Sequence, residues 1–181
     1  RDGMTEATNP DAKHAGELWT LPVTLDVVRL AMDGSTRGLV SEWAPVETIV
    51  RKGSDCDNFP TAWAEDGKLY TAHGDCRGFF PLRPKKLGLG FAVIEGGPTD
   101  YEGINIPASA DNTGMGAAGK KASGLLAVDG VLYMLARNAG NSQLAWSTDH
   151  AKTWAWADWK FTTSFGHPAF LSFGKNYANA R

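Results

Sequence analysis

The apolar positions of this chain fall in short bursts that stop at Gly, Pro, Asn or Asp, and long stripes at helical spacing are few. The clearest pair of bursts is "FPTAWAEDGKLYTAH". Phe59 to Ala64 and Leu69 to His73 are rich in aromatic and β-compatible residues, and Asp66-Gly67 between them supplies the positive φ that a tight turn requires. A β-hairpin is predicted there. "LLAVDGVLYMLARNAG" repeats the pattern 63 positions later, with Asp129-Gly130 standing for Asp66-Gly67 and Leu132-Tyr133 for Leu69-Tyr70. "QLAWST", a tight polar turn and "WAWADWKF" bring that unit to four short strands, and "HPAFLSFGKNY" reads as the first strand of another. Upstream, residues 1–16 are polar and irregular, a loop or strap. "LWTLPVTLDVVRLAMDGS" (Leu18 to Ser35) and "EWAPVETIVRKG" read as extended segments. "LGLGFAVIEG" is a further strand, and Gly96 to Lys121, crowded with Gly, Pro, Asn and Asp, is predicted to be a long loop of the kind that often carries function.

Four-stranded antiparallel units at a period of about 40 to 60 residues are the signature of propeller blades. Ser147-Thr148-Asp149-His150-Ala151-Lys152-Thr153-Trp154 strengthens the reading, because it resembles the Asp-box, S-x-D-x-G-x-T-W, of sialidase-like blades, with Ala151 in place of the usual glycine. In such a turn the Asp accepts backbone hydrogen bonds and the Trp packs between blades; the resemblance implies a structural motif away from the active site, and no catalytic role is expected for Asp149 or His150. The predicted fold is all-β, a partial β-propeller of about three four-stranded blades. Its parts are N-terminal strands and loops over 1–54, a blade with the Asp-Gly hairpin over 55–118, a blade with the Asp-box over 119–165, and the first strand of a next blade over 166–181. A β-sandwich is the competing architecture. A propeller needs at least four blades to close, so an incomplete propeller, a piece of a longer protein, is expected.

The first hairpin carries the chain's only two cysteines, each beside an aspartate: Cys56-Asp57 at its start and Asp75-Cys76 at its end. If opposed residue numbers sum to 132, Cys56 faces Cys76 and Asp57 faces Asp75; if they sum to 133, each pair is displaced by one. Directly opposed residues share a face and lie about 5 Å apart at Cβ, and the next pair points to the other face. Such a ribbon accommodates a Cys56–Cys76 disulfide on one side and a carboxylate pair on the other.

Composition narrows the field of partners. A formal net charge of -2 over 181 residues offers no basic footprint for nucleic acid or an anionic membrane. No apolar run approaches the roughly 20 residues of a transmembrane helix, and no charged segment followed by an apolar one opens the chain. Seven tryptophans and 21 glycines fit a β-rich, turn-rich chain. A cross-hairpin disulfide would fit an oxidising compartment.

Two carboxylates facing a water-filled pocket are the usual equipment for cleaving a glycosidic bond, one protonated as acid and the other ionised as nucleophile or base. Asp57 and Asp75 are the candidates, with Asp55 a solvated neighbour. His73 and Arg77 flank Asp75 and are candidates to bind substrate. Arg137 and Asn138 close the second hairpin and would reach the same rim in a radial arrangement. His167 stands in the position analogous to Asn58, where innermost strands enter a central channel, and Lys175-Asn176-Tyr177 is placed in a loop over the rim. No metal motif or phosphate loop rises above noise, so no cofactor is expected.

"DNFPTAWAEDGKLYTAHGD", "SGLLAVDGVLYMLARNAGNSQLAWSTDHAKTW" and "FGKNYANAR" resemble the bacterial secreted proteins with the domain of unknown function 4185, some of whose relatives are endo-D-arabinanases of glycoside hydrolase family 183. The resemblance runs from about Asp55 to Arg181. It implies a five-bladed propeller, a secreted, extracellular or periplasmic location, a polysaccharide or oligosaccharide partner, and catalytic roles for Asp57 and Asp75, with His73 standing where an aromatic or small residue is the pattern. Two alternatives stay open. A polysaccharide lyase would need His73 or His167, Tyr70 and Arg137 to converge on one face. A non-catalytic glycan-binding propeller would use Trp63, Trp156 or Trp159 as stacking platforms.

Overall fold

The computed structural model describes residues 18–20, 45–53, 55–164 and 166–180. The expectations for residues 1–16, and for the parts of the upstream strands within 21–44, lie outside the described residues. Strand β1 (Leu18–Thr20) pairs antiparallel with β2 (Val50–Lys52). The first large sheet runs β3 (Thr61–Trp63), β4 (Leu69–His73), β5 (Leu87–Glu95), β6 (Glu102–Ile106) in sequence order, and the short β7 (Asn112–Thr113) pairs with the start of β5. The second sheet runs β8 (Lys121–Val128), β9 (Val131–Arg137), β10 (Gln143–Ser147), β11 (Ala155–Trp156). All pairings are antiparallel, the described residues hold no α-helix, and the fold is all-β.

Both Asp-Gly turns close hairpins as their sequences require. Asp66 Oδ1 accepts the Lys68 N–H at 3.0 Å, while Gly67 and Gly130 adopt φ of 85° and 76°. Strand β5 is covered on both faces, which is why "LGLGFAVIE" is an unbroken apolar run instead of an alternating one. Its Leu89, Phe91 and Val93 join Ala62, Tyr70 and Ala72 against Leu125, Ala127, Leu132, Met134 and Ala145 of the second sheet. Ala92 and Ile94 turn the other way, into a second cluster with Phe79 and Tyr101.

The Ser147–Trp154 turn locks the two sheets together. Asp149 accepts from the Thr153 N–H at 2.8 Å, the Thr153 hydroxyl at 2.7 Å and the Ser147 hydroxyl at 2.8 Å. Those Thr153 bonds, aided by Ser147, outweigh the cost of burial and hold its carboxyl down at about 2. Ala151 sits at φ 68°, the left-handed region that the Asp-box glycine normally fills, so the turn keeps its shape despite the substitution. Trp154 then stacks on Phe91 with ring centroids 4.9 Å apart and donates its indole N–H to the Ala151 carbonyl at 2.9 Å.

Two expectations are corrected. The loop predicted from Gly96 to Lys121 contains β6 and β7, because the long β5 offers ladder positions that local sequence does not reveal. The strand expected within 166–181 does not form among the described residues. That segment is irregular, with a 3-10 turn at Lys175–Tyr177. It passes Gly124 of β8 at Ala169, and Asn176 Oδ1 accepts the Gly130 N–H at 3.1 Å. Lys175-Asn176-Tyr177 therefore lies at the hairpin-turn end of the sheets, away from the aspartates.

Candidate active site

Cys56 and Cys76 are joined by a disulfide that closes the open end of the first hairpin. The ladder above the turn keeps the 132 register, with Thr61 opposite Thr71 and Trp63 opposite Leu69. It then slips. Asp57 pairs with Gly74, exchanging N–H···O bonds of 3.0 Å in both directions, so the outgoing strand holds the extra residue, at Asn58-Phe59, where Asn58 takes the left-handed φ of 53°. Asp75, just past Gly74, is left-handed as well, at φ 54°. Neither register considered from sequence extends to the aspartates: Asp75 stands one position past the partner of Asp57, a displacement by one in the sense opposite to the 133 register.

The two carboxylates live in different surroundings. Asp57 is exposed, its carboxylate has no hydrogen-bond or ion-pair partner among the described residues, and it lies against Gly74, whose added Cβ would stand 2.9 Å from its Oδ1. Asp75 is half-buried. Its Oδ1 is paired with the ammonium of Lys121, a residue that is only 3% exposed, and its Oδ2 accepts the Gly116 N–H at 3.0 Å. Burial pushes the Asp75 carboxyl up, but the Lys121 and Gly116 hydrogen bonds and the charges of Lys121 and Arg137 together outweigh it. Asp75 is held below the ordinary carboxylate range.

Lys121 was not singled out in the sequence. It reaches this place because β8 bulges between Ala122 and Gly124, which shifts the turn's register by one and sets Lys121 opposite Arg137 on one face. A lysine opening the apolar run "KASGLLAV" was the available signal. Arg137 is half-buried, its Nε is buried, and its guanidinium has no hydrogen-bond or ion-pair partner among the described residues. Asn138 follows at φ 59° and donates to the Gly116 carbonyl at 3.4 Å. The end of β4, the start of β8, the end of β9 and the loop around Gly116 thus meet at one end of the sheets. The Asp66-Gly67, Asp129-Gly130 and Ser147–Trp154 turns lie at the other, where His150 Nε2 stands 2.8 Å from Glu65.

The remaining candidates divide. Asn58 is exposed beside Asp57. His167 is exposed two residues before Ala169, on the stretch that reaches the Lys121 half of β8. His73 is a correction. It is 2% exposed, with its Nδ1 3.2 Å from Cys76 Sγ and an added Cβ on Gly90 reaching within 2.4 Å of its ring. It cannot touch a substrate, and burial, then the Arg83 charge, lower its pKa to about 4, so it is neutral. Arg77 bends away to donate its Nε–H to the Arg83 carbonyl at 2.6 Å. Tyr70 lies near the hairpin turn, where burial and its bond to Asp66 push its hydroxyl pKa up.

Cys56, His73 and Cys76 bring three potential metal-ligand atoms within 4.8 Å of one another, but the sulfurs are bonded to each other and are not thiolates. No described helix is long and apolar enough to cross a membrane. Comparison with family models, curated proteins and solved structures found no match.

Proposed function

We propose that this chain is part of a β-propeller glycosidase that cleaves a polysaccharide, with Asp75 as the ionised carboxylate and Asp57 as the proton donor. The observation that carries the reading is the asymmetry of the pair: Asp75 is clamped by Lys121 and Gly116, while Asp57 is open to solvent one ladder step away. A retaining or inverting glycosidase needs two carboxylates in different surroundings, one held as the ionised group and one to serve as the acid.

The rest of the molecule agrees with this assignment. Two sheets, each with four strands in sequence order and the first with the short β7 added, pack together through Trp154 and suit two neighbouring blades, and the Asp-box lies at the end remote from the aspartates, as in sialidase-like propellers. The likeness to the domain of unknown function 4185 and to the family 183 arabinanases points the same way. The disulfide fits a secreted location. The lyase reading loses ground, since His73 and Tyr70 are buried and Tyr70 is near the opposite end.

The test is release of reducing ends from a panel of plant and bacterial polysaccharides by the protein and its Asp57→Asn variant. Asp57→Asn is expected to retain the fold and lose activity by at least about 100-fold. Full activity in Asp57→Asn would overturn the assignment, and binding without cleavage by the unaltered protein would favour a glycan-binding module.

A further inference from the structure

We infer that Arg137 is an anchor for an oxyanion group on the sugar, making the substrate an acidic glycan; the inference rests on the glycosidase reading of the same site. Lys121 and Arg137 are opposed on one face of the β8–β9 ladder, and both act on Asp75. Lys121 is the cation that Asp75 engages directly. Arg137 is left over, with a buried Nε and no partner for its guanidinium among the described residues.

An arginine drawn half out of water and left without an acceptor is costly unless a ligand completes it. Its planar fork matches two oxygens of one carboxylate or sulfate, an arrangement that a sugar hydroxyl reproduces only in part. The neighbouring groups argue for a charged ligand over another protein acceptor. Asp75 directs its oxygens to Lys121 and Gly116 and makes no hydrogen bond to Arg137, and Asn138 turns its amide to the Gly116 carbonyl. A glycan lying over this end would set an acidic substituent on Arg137 and a glycosidic oxygen toward Asp57, whose carboxylate is also without a partner among the described residues. Uronate carboxylates and sulfate esters share the required chemistry.

The experiment uses the full chain carrying Asp57→Asn, which prevents turnover, with its arginines labelled for side-chain NMR. It is titrated with trigalacturonate, with a sulfated galactose trisaccharide and with neutral galactotriose. At least one anionic trisaccharide is expected to shift the Arg137 Nε–H resonance and to bind about tenfold more tightly than the neutral one. Arg137→Gln should erase that preference and Arg137→Lys keep part of it. Preference for the uronate or for the sulfate ester identifies the oxyanion. Equal affinity for all three sugars, or an Arg137 resonance that does not respond, overturns the inference. The two readings fail separately: cleavage of neutral glycans, unaffected by Arg137→Gln, removes the acidic substrate and leaves the glycosidase. Arg137-dependent binding without cleavage by the unaltered protein does the reverse.

Discussion

The two Asp-Gly hairpins turn differently, the first through Glu65 to Gly67 and the second through Asp129-Gly130 alone, and they carry different groups at their open ends. Each has a left-handed glycine at its turn and a left-handed polar residue past its second strand, Asp75 at φ 54° and Asn138 at φ 59°. In the first hairpin the ladder slips on the outgoing strand, at Asn58-Phe59, and a disulfide closes the end. The second slips in the same sense, near Ser123, whose hydroxyl donates to the Leu135 carbonyl at 3.1 Å, and no disulfide is present. One end offers Asp57 and Asp75, the other Lys121 and Arg137. The repeated, slipped hairpin is therefore a scaffold, and the chemistry comes from the residues each copy carries at its open end.

The largest effect should come from making the first hairpin like the second by removing its cross-link. The double variant Cys56→Ala, Cys76→Ala frees a loop with a sequence separation of 20. It is expected to lose about 3 kcal/mol in denaturant unfolding, a difference that reductant should reproduce in the unaltered protein. Unchanged stability would show that the ladder holds that end unaided.

A similar loss is expected on acidification, through His73. Its folded pKa of about 4 lies below the ordinary 6.5, so the unfolded chain takes up the proton first. The stability is complete above about pH 6.5 and falls by about 3 kcal/mol as the pH drops toward 4. His73→Leu should flatten that limb; a limb that survives the substitution belongs to another group.

Removing the charge that joins the hairpins should cost less. Lys121→Met leaves Asp75 half-buried without its ammonium and is expected to destabilise by about 2 kcal/mol at neutral pH. The sign for Asp75 is opposite to that of a raised group: its pKa is depressed, so its contribution is present above the ordinary value near 3.8 and vanishes as pH falls through the folded one. The deficit of Lys121→Met should accordingly shrink below pH 3.8. A deficit constant with pH would make Lys121 a packing residue.

The smallest effect sharpens the contrast between the equivalent left-handed positions. Asn138→Gly keeps the backbone angle and gives up only a long bond to Gly116, so a change within about 0.5 kcal/mol is expected. Asp75→Gly keeps the angle too, but strands Lys121 and should cost markedly more by thermal unfolding.

Much of this molecule was legible before folding. Alternation, aromatic content and the two Asp-Gly pairs marked the hairpins, because a tight turn and a half-covered strand are local matters. The symmetric Cys-Asp and Asp-Cys pairs pointed to the disulfide, and the Asp-box pattern to the turn that seats Trp154. Strands β6 and β7 were not legible in their Gly-rich and Asn-rich setting, since pairing with β5 and not propensity makes them strands. His73 read as a rim residue, yet Gly78 and Gly90 clear the space that buries it.

The sequence by itself determined the all-β class, the hairpins and which residues could carry charge at their ends. Tertiary structure decided which of those charges meet. Each bulge shifts a ladder by one residue and so changes the face and partner of everything beyond it. Where a bulge falls depends on what the strand packs against. Asp75 reaches Lys121 only because two ladders, separated in sequence, slip at one end of the molecule, a coincidence in space that no local pattern encodes.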